Sequence, residues 1–320
     1  MPVSFTVLAS GSGGNASVLE VDGFRVLIDC GLGPRQLIAR LCSIGLNWPD
    51  LSAVVLTHTH GDHWREANFK QFQKYRIPFF CHLHHARLLQ REASSFGALH
   101  QSGLVRNYAN AIAIDFGSGF VCWPIPISHD GGPTFGFRFS IRRADGSAPM
   151  AVAFLTDLGH WTPELAKLVT DVDLLALEFN HDVEMEISSG RSGYLVERVI
   201  GKNGHLSNEQ AALLVKEILT RSSPGRLQHL VQLHLSRDCN HPDLAVSSVR
   251  AILDGAGHPI TLVTADQDLA TVRLHVTPRP CAGESKADSQ NVTENLAMPF
   301  AATRKRSPRY SSVQPMLPGF

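Results

Sequence analysis

The chain has 320 residues, 43% of them hydrophobic, and its 29 basic side chains are matched by 29 acidic ones. That apolar content suffices for a sizeable core, in one large domain or two small ones. The balanced charge excludes a protein that grips polyanions through bulk basicity, so any nucleic acid must be held by a local patch or by metal ions.

Phe5 to Ala9 reads as a strand and leads into Ser10-Gly11-Ser12-Gly13-Gly14-Asn15. Ser17 to Val21 and Phe24 to Ile28 follow, joined by the hairpin signal Asp22-Gly23. Gly11-x-Gly13-x-x-Ala16 has the outline of a dinucleotide fingerprint, but the glycines run into a strand. No helix N-terminus then meets a pyrophosphate, and the segment reads as a sharp strand connection near a site. A helix is expected from Pro34 to Leu41, and an apolar strand from Ala53 to Leu56 that ends in a histidine cluster. Later strands are expected at Phe79 to His82, Ala111 to Asp115, Phe120 to Ile127, Thr134 to Ile141 and Ala151 to Leu155. Asp173 to Leu177, Leu230 to Leu233 and Ile260 to Val263 complete the set. Helices are expected at Trp64 to Tyr75, Ala86 to Ser94, Pro163 to Val169, Arg191 to Ile200, Asn208 to Thr220 and Pro242 to Leu253. Early hairpins followed by alternating strands and helices predict a layered α/β domain over residues 1–276. Residues 277–320, rich in Pro, Ser, Ala and Thr with a basic run, read as a disordered tail.

The six cysteines (Cys30, Cys42, Cys81, Cys122, Cys239 and Cys281) show no C-x-x-C spacing and read as reduced thiols. The opening residues lack the signal-peptide pattern. No run approaches the roughly 20 apolar residues of a membrane span. The expected compartment is the cytoplasm, with no membrane partner.

Sixteen histidines are present, many at the ends of apolar runs. The strongest cluster is His58-Thr59-His60-Gly61-Asp62-His63. In an extended segment residues two apart point the same way, so His58 and His60 can share one metal. Gly61 permits a turn that lets Asp62 and His63 face a second one. Three imidazoles and a carboxylate suit zinc or a similar divalent ion. A solvated polar loop is the plain alternative. His82, His84 and His85 lie between a strand and a helix, where capping or a surface position is the expected role.

The cluster resembles the H-x-H-x-D-H signature of the metallo-β-lactamase superfamily. That resemblance implies a four-layer αβ/βα sandwich with two divalent metal ions, zinc or manganese, at the edge between two sheets. It also implies further ligands at strand ends. His129 follows the strand to Ile127, Asp157 the strand to Leu155, and His234 the strand to Leu233. Alone, each is more often an ordinary polar strand end. By the resemblance, His58, His60 and His129 hold one metal, Asp62, His63 and His234 the other, and Asp157 bridges them.

Two bridged metals lower the pKa of a shared water and clamp a phosphate oxygen. A leaving alkoxide still needs a proton, so a phosphodiesterase gains from a general acid. Gly204-His205-Leu-Ser-Asn208 precedes a helix, and Glu178 follows a strand. A carboxylate beside an imidazole holds it protonated and oriented. These segments are similar to those of ribonuclease Z, which implies that His205 protonates the leaving oxygen with Glu178 behind it; Asp62 then orients the attacking hydroxide. The alternative for His205 is a surface residue leading a helix. His234-Leu-Ser-Arg-Asp-Cys-Asn240 is similar to the phosphate-holding His-Phe-Ser-x-Arg-Tyr segment, making Ser236 and Asn240 candidate substrate contacts.

Four pieces in order, over roughly residues 4–276, resemble the YycJ/WalJ group. They are Ser10 to Asn15, Leu177 to Asp182, Gly204 to Asn208, and His234 with the following Asn240. Members of that group are regarded as 5′-to-3′ DNA exonucleases with two divalent metals. His181, in Asn180-His-Asp182, is a candidate for touching substrate or metal, with a structural role as the alternative. The short interval between Asp157 and His234 leaves no room for the inserted domain of the β-CASP nucleases, and no long tRNA-gripping arm is evident; both weaken an RNA reading. Asp157, where many β-lactamases carry cysteine, argues against antibiotic hydrolysis. His60, where flavodiiron proteins carry glutamate, argues against a redox site.

Rival readings stay open. The same metal site serves hydrolysis of RNA, of a small phosphodiester or of a thioester, and a catalytically silent module that binds a partner is the non-enzymatic alternative. Arg138, Arg142 and Arg143 form either a basic face for DNA or a solvated strand edge. Arg304-Lys305-Arg306 offers phosphate contact, and Gln314-x-x-Leu317-x-x-Phe320 loosely resembles a sliding-clamp-binding peptide.

Overall fold

The computed structural model describes residues 1–142 and 148–279. The first half runs β1 (Val3–Ala9), β2 (Ala16–Val21), β3 (Phe24–Ile28), α1 (Pro34–Ser43), β4 (Ala53–Val55), α2 (Glu66–Lys74), β5 (Phe79–His82), α3 (Leu83–Glu92), α4 (Ser94–Gln101) and β6 (Val105–Tyr108). The second half runs β7 (Ile114–Asp115), β8 (Phe120–Ile127), β9 (Thr134–Ile141), β10 (Met150–Leu155), α5 (Pro163–Leu168), β11 (Leu174–Glu178), α6 (Val183–Ser188), α7 (Gly193–Ile200), α8 (Asn208–Arg221), β12 (His229–Leu233), α9 (Pro242–Asp254), β13 (Thr261–Thr264) and β14 (Leu274–Val276).

The strands form two seven-stranded sheets, ordered β14-β1-β2-β3-β4-β5-β6 and β13-β12-β11-β10-β9-β8-β7. In each sheet an antiparallel meander passes into a parallel run. β1, β2 and β3 are antiparallel, while β3 to β6 are parallel. Likewise β7 to β10 are antiparallel and β10 to β13 parallel. The Asp22-Gly23 turn has positive φ at both residues (51° and 84°), the backbone a tight two-residue hairpin requires.

Alternation along the strands builds three apolar layers. Phe135, Phe137 and Phe139 of β9 meet Phe5, Val7 and Ile28 of the opposite sheet in the central layer. The outer face of the first sheet packs Leu27 and Val54 against Leu37, Phe69 and Leu99 on helices. The outer face of the second packs Leu155 and Leu175 against Leu214 and Val249. The result is the four-layer αβ/βα sandwich of the metallo-β-lactamase fold. No helix among the described residues is long and apolar enough to cross a membrane. Cys30, Cys42, Cys81, Cys122 and Cys239 are free thiols.

Several local expectations need correction. The strand expected from Ala111 shrinks to Ile114–Asp115, because Ala111 adopts φ 57° in a turn. Edge strands β6 and β14 went unanticipated; each is short and carries exposed polar residues that break the apolar signal. Arg138 does not form a basic face. Its guanidinium donates to the carbonyls of Leu168 and Thr170, ending α5, at 3.2 and 2.6 Å. The His82–His85 cluster is a helix cap: His82 Nδ1 accepts from His84 N, and His85 Nδ1 accepts from His82 N. Arg143, Cys281, Arg304-Lys305-Arg306 and Gln314–Phe320 lie outside the described residues.

Phe137 is fully buried between the sheets. Phe137→Ala should lower the unfolding free energy by about 3–5 kcal/mol in urea titrations of the metal-loaded protein. A loss below about 1 kcal/mol would contradict a packed inter-sheet layer.

Candidate metal centre

The expected ligands gather in loops that follow strands of both sheets. His58, His60, Asp62 and His63 follow β4, His129 follows β8, Asp157 follows β10 and His234 follows β12. One ligand atom from each of His58, His60 and His129 falls within 4.8 Å of the others. The same holds for Asp62, His63, Asp157 and His234. Asp157 joins the two groups. Its Oδ2 lies 3.2 Å from His63 Nε2, and its Oδ1 lies 3.5 Å from His234 Nε2 and 3.7 Å from His129 Nε2.

This crowding has a backbone cost. Asp157 (φ 53°) and His234 (φ 56°) sit in the left-handed region, as does Asp29 (φ 60°) after β3. Each such residue costs on the order of 1–3 kcal/mol, and strain of this kind gathers at functional sites. Gly31 is needed for another reason: a Cβ there would lie 1.7 Å from the Asp62 carbonyl oxygen.

A second layer of hydrogen bonds aims the imidazoles. His63 Nδ1 donates to buried Asp29 Oδ2 at 2.7 Å. Asp29 is itself held by Thr57, whose N and Oγ1 both donate to it. His129 Nδ1 donates to the Gly204 carbonyl at 2.9 Å. Asn15 Nδ2 donates to Asp62 Oδ2 at 3.1 Å, while Asn15 Oδ1 accepts from Gly11 N. Asn180 donates to the His234 carbonyl at 2.9 Å. The contacts to His63 and His129 turn the Nε2 of each ring inward, while those of Asn15 and Asn180 hold the Asp62 carboxylate and the His234 backbone. Sequence reasoning missed Asp29, Thr57, Asn15 and Asn180 as supports. Asp29 carried a usable signal, since it ends an apolar strand as Asp157 does.

The donors fit a cation. His58 Nε2 is buried and has no hydrogen-bond partner. Burial, then the neighbouring His63, pushes the His58 imidazole well below its ordinary pKa, so it stays neutral with a lone pair to give. Burial also opposes charge on His63 and His234. The carboxylates outweigh it: Asp157, Asp29 and Asp62 raise His63, and Asp157, Asp62 and Glu178 raise His234 to about 9. Burial would raise the Asp157 pKa, but His234 and His63 hold it well below the carboxylate range. A neutral nitrogen, two cation-seeking imidazoles and ionised carboxylates around one point are the donor chemistry of a divalent metal.

Glu178 and His205 adjoin this cage. Fully buried Glu178 accepts from Asp157 N (2.9 Å) and His205 Nδ1 (3.0 Å) through Oε2, and from Leu206 N (2.8 Å) through Oε1. His205 stacks on His234 at 5.2 Å between ring centroids. The three remaining candidates stand apart. Ser236 is half-buried, and its Oγ accepts from Cys239 N. Asn240 is buried; its amide donates to the carbonyls of Phe179 and Asn180, tying loops together instead of facing a phosphate. His181 is buried and neither ring nitrogen has a hydrogen-bond partner.

Residues 24–224 match the family model described as Beta-lactamase superfamily domain. The chain belongs to this superfamily. Within it, the chain is a metal-dependent hydrolase of the metallo-β-lactamase fold. It is similar to exodeoxyribonuclease WalJ of Streptococcus pneumoniae, 29% identical over 248 residues, covering 75% of this chain and 84% of that protein. It is also similar to exodeoxyribonuclease YycJ of Bacillus anthracis, 27% identical over 262 residues, covering 80% and 91%. Among solved structures of the superfamily, the metallo-β-lactamase fold protein YhfI from Bacillus subtilis aligns with a TM-score of 0.58 at 17% identity. That alignment covers 85% of this chain and 99% of YhfI, and shows the shared fold.

Two outcomes follow from the geometry. Asp29→Ala frees the His63 ring, so metal affinity in chelator competition should fall about 10- to 100-fold; unchanged affinity would count against the outer layer. Protons and metal also compete for His63 and His234. The surrounding carboxylates raise both imidazole pKa values and favour the protonated rings in chelator-treated protein, whereas ligation needs them neutral. Metal added at pH 7 should therefore release protons into an indicator dye. The His234 share of that release disappears above its pKa of about 9. Proton-free binding at pH 7 would contradict the assignment.

Proposed function

We propose that this chain is a dinuclear metal-dependent phosphodiesterase that degrades DNA as an exonuclease, in the 5′-to-3′ direction. One observation carries the reading: His205 Nδ1 is hydrogen-bonded to Glu178 Oε2 at 3.0 Å beside the donor cage. Expelling an alkoxide requires a proton, and a held imidazolium supplies it; an acyl hydrolase with a stable leaving anion needs no such pair. The names of the two exodeoxyribonuclease relatives support DNA as the polymer.

In this reading His58, His60 and His129 hold one divalent ion, zinc or manganese, and Asp62, His63 and His234 hold the other, with Asp157 shared. Bound there, the ions lower the pKa of water and offset charge on the phosphate in transfer. Asp62 Oδ2, fixed by Asn15, accepts a hydrogen bond from the attacking water and orients it. His205 gives its Nε2 proton to the leaving oxygen while Nδ1–H stays on Glu178. Burial opposes the charged ring, but Glu178, with Asp157 behind it, raises the His205 pKa and so favours the protonated form that this step needs. Ser236 donates its hydroxyl to a phosphate oxygen, since its lone pair already serves Cys239 N. DNA as substrate and free thiols together support a cytoplasmic location.

End-labelled single- and double-stranded DNA and RNA, incubated with zinc or manganese beside a thioester and a cyclic nucleotide, test the proposal. Release of mononucleotides from the 5′ end of DNA is expected. Thioester cleavage with intact DNA would overturn it. His205→Ala should lower kcat on DNA about 10²- to 10⁴-fold and affect an activated p-nitrophenyl phosphodiester far less. Asp62→Ala should abolish both turnovers while circular dichroism stays native. Retained activity would remove Asp62 from the mechanism.

A further inference from the structure

Helix α7 reads Gly-Tyr-Leu-Val-Glu-Arg-Val-Ile, yet none of its residues is buried. A helix this apolar ordinarily buries one face. Here Tyr194 is 78% exposed, and Ile187 at the end of α6 is 65% exposed. Among the described residues the Tyr194 ring makes no ring contact and its hydroxyl no hydrogen bond. The helix is nonetheless fastened to the metal centre at its other end. Arg198 Nε donates to Asp130 Oδ2 at 2.5 Å, and Asp130 Oδ1 lies 3.5 Å from both His60 Nε2 and His129 Nε2. The Val199 carbonyl accepts from His205 N at 2.8 Å. Tyr194 stands one turn before Arg198 on the same face, about 6 Å along the axis.

The charges nearby do not suit a phosphate backbone. Arg198 is tied to Asp130, and Arg191 to Glu186 and Asp238. Glu184 and Glu197 are exposed on the same two helices. The exposed face of α7 carries Tyr194 with Glu197 and Arg198, while its aliphatic residues are half-buried. An open aromatic ring of this kind suits the faces of bases, which stack on aromatics whatever their sequence. In a duplex those faces are covered by neighbouring pairs, so only unpaired bases can use such a platform.

We propose that the outer face of α7, with Tyr194 as its platform, holds unpaired bases of a nucleic-acid strand whose scissile phosphodiester lies in the metal centre. The proposal rests on the nuclease reading and adds to it the form of substrate gripped, a single strand. It also explains how a chain without net basic charge holds a polyanion.

The test uses the full-length, metal-loaded protein and single-stranded DNA carrying 2-aminopurine within the first few nucleotides of the 5′ end. Wild-type protein should quench the fluorophore by stacking. Tyr194→Ala should abolish the quenching and raise KM for single-stranded DNA about 10- to 100-fold, and Tyr194→Phe should restore both. Wild-type quenching and KM in Tyr194→Ala, on an enzyme that does degrade DNA, overturn the platform alone. Wild-type protein inert on DNA overturns the nuclease reading and the platform with it. A dimer in sedimentation that Tyr194→Ala dissociates assigns this face to a second copy of the chain and also overturns the proposal.

Discussion

The buried carboxylate of Asp157 is the point on which the site turns. Its two oxygens reach His63 on one side and His234 and His129 on the other, so donors delivered by both sheets meet at one residue. The rest of the architecture keeps that meeting possible. Loops after β4 in one sheet and after β8, β10 and β12 in the other bring the donors together. The packed aromatic layer between the sheets fixes the distance across which those loops face each other.

Such a cluster is unfavourable in isolation. It gathers buried ionisable groups, an unpartnered imidazole nitrogen and three left-handed non-glycine residues. A divalent cation bound there would offset that cost, because it would draw the donors together and satisfy the orphaned nitrogen. The hydrogen bonds from Asp29, Glu178, Asn15 and Gly204 limit the freedom of the donors beforehand, so little ordering remains when metal binds. Glu178 has a double task. It holds the Asp157 backbone and the His205 ring with the same oxygen, which couples the positions of these two residues.

How much of this the sequence reveals depends on where the physical signal lies. The convergence of these histidines and aspartates is legible because they follow apolar strands and their residue types are rare together. The strand and helix pattern is legible for the same reason, since buried faces impose periodicity. Asp29 and Asn15 are harder to see, because one carboxylate or one amide near a strand end has many meanings until the partner across the fold is known. Arg138 and Asn240 mislead in the opposite direction. Both look available for phosphate, and both are taken by backbone carbonyls that only the tertiary structure brings near. Helix α7 has the spacing of an amphipathic helix, but that spacing does not say that its aliphatic residues end up only half-buried and Tyr194 exposed.

The central claim is that these side chains hold a pair of divalent ions. Reconstituting the full-length protein with zinc or manganese, dialysing it and counting bound metal by mass spectrometry, with X-ray absorption for the ligand types, tests this directly. The account predicts two ions per chain, coordinated by imidazole nitrogen and carboxylate oxygen. One ion or none retained, or a shell containing cysteine sulfur, would contradict it.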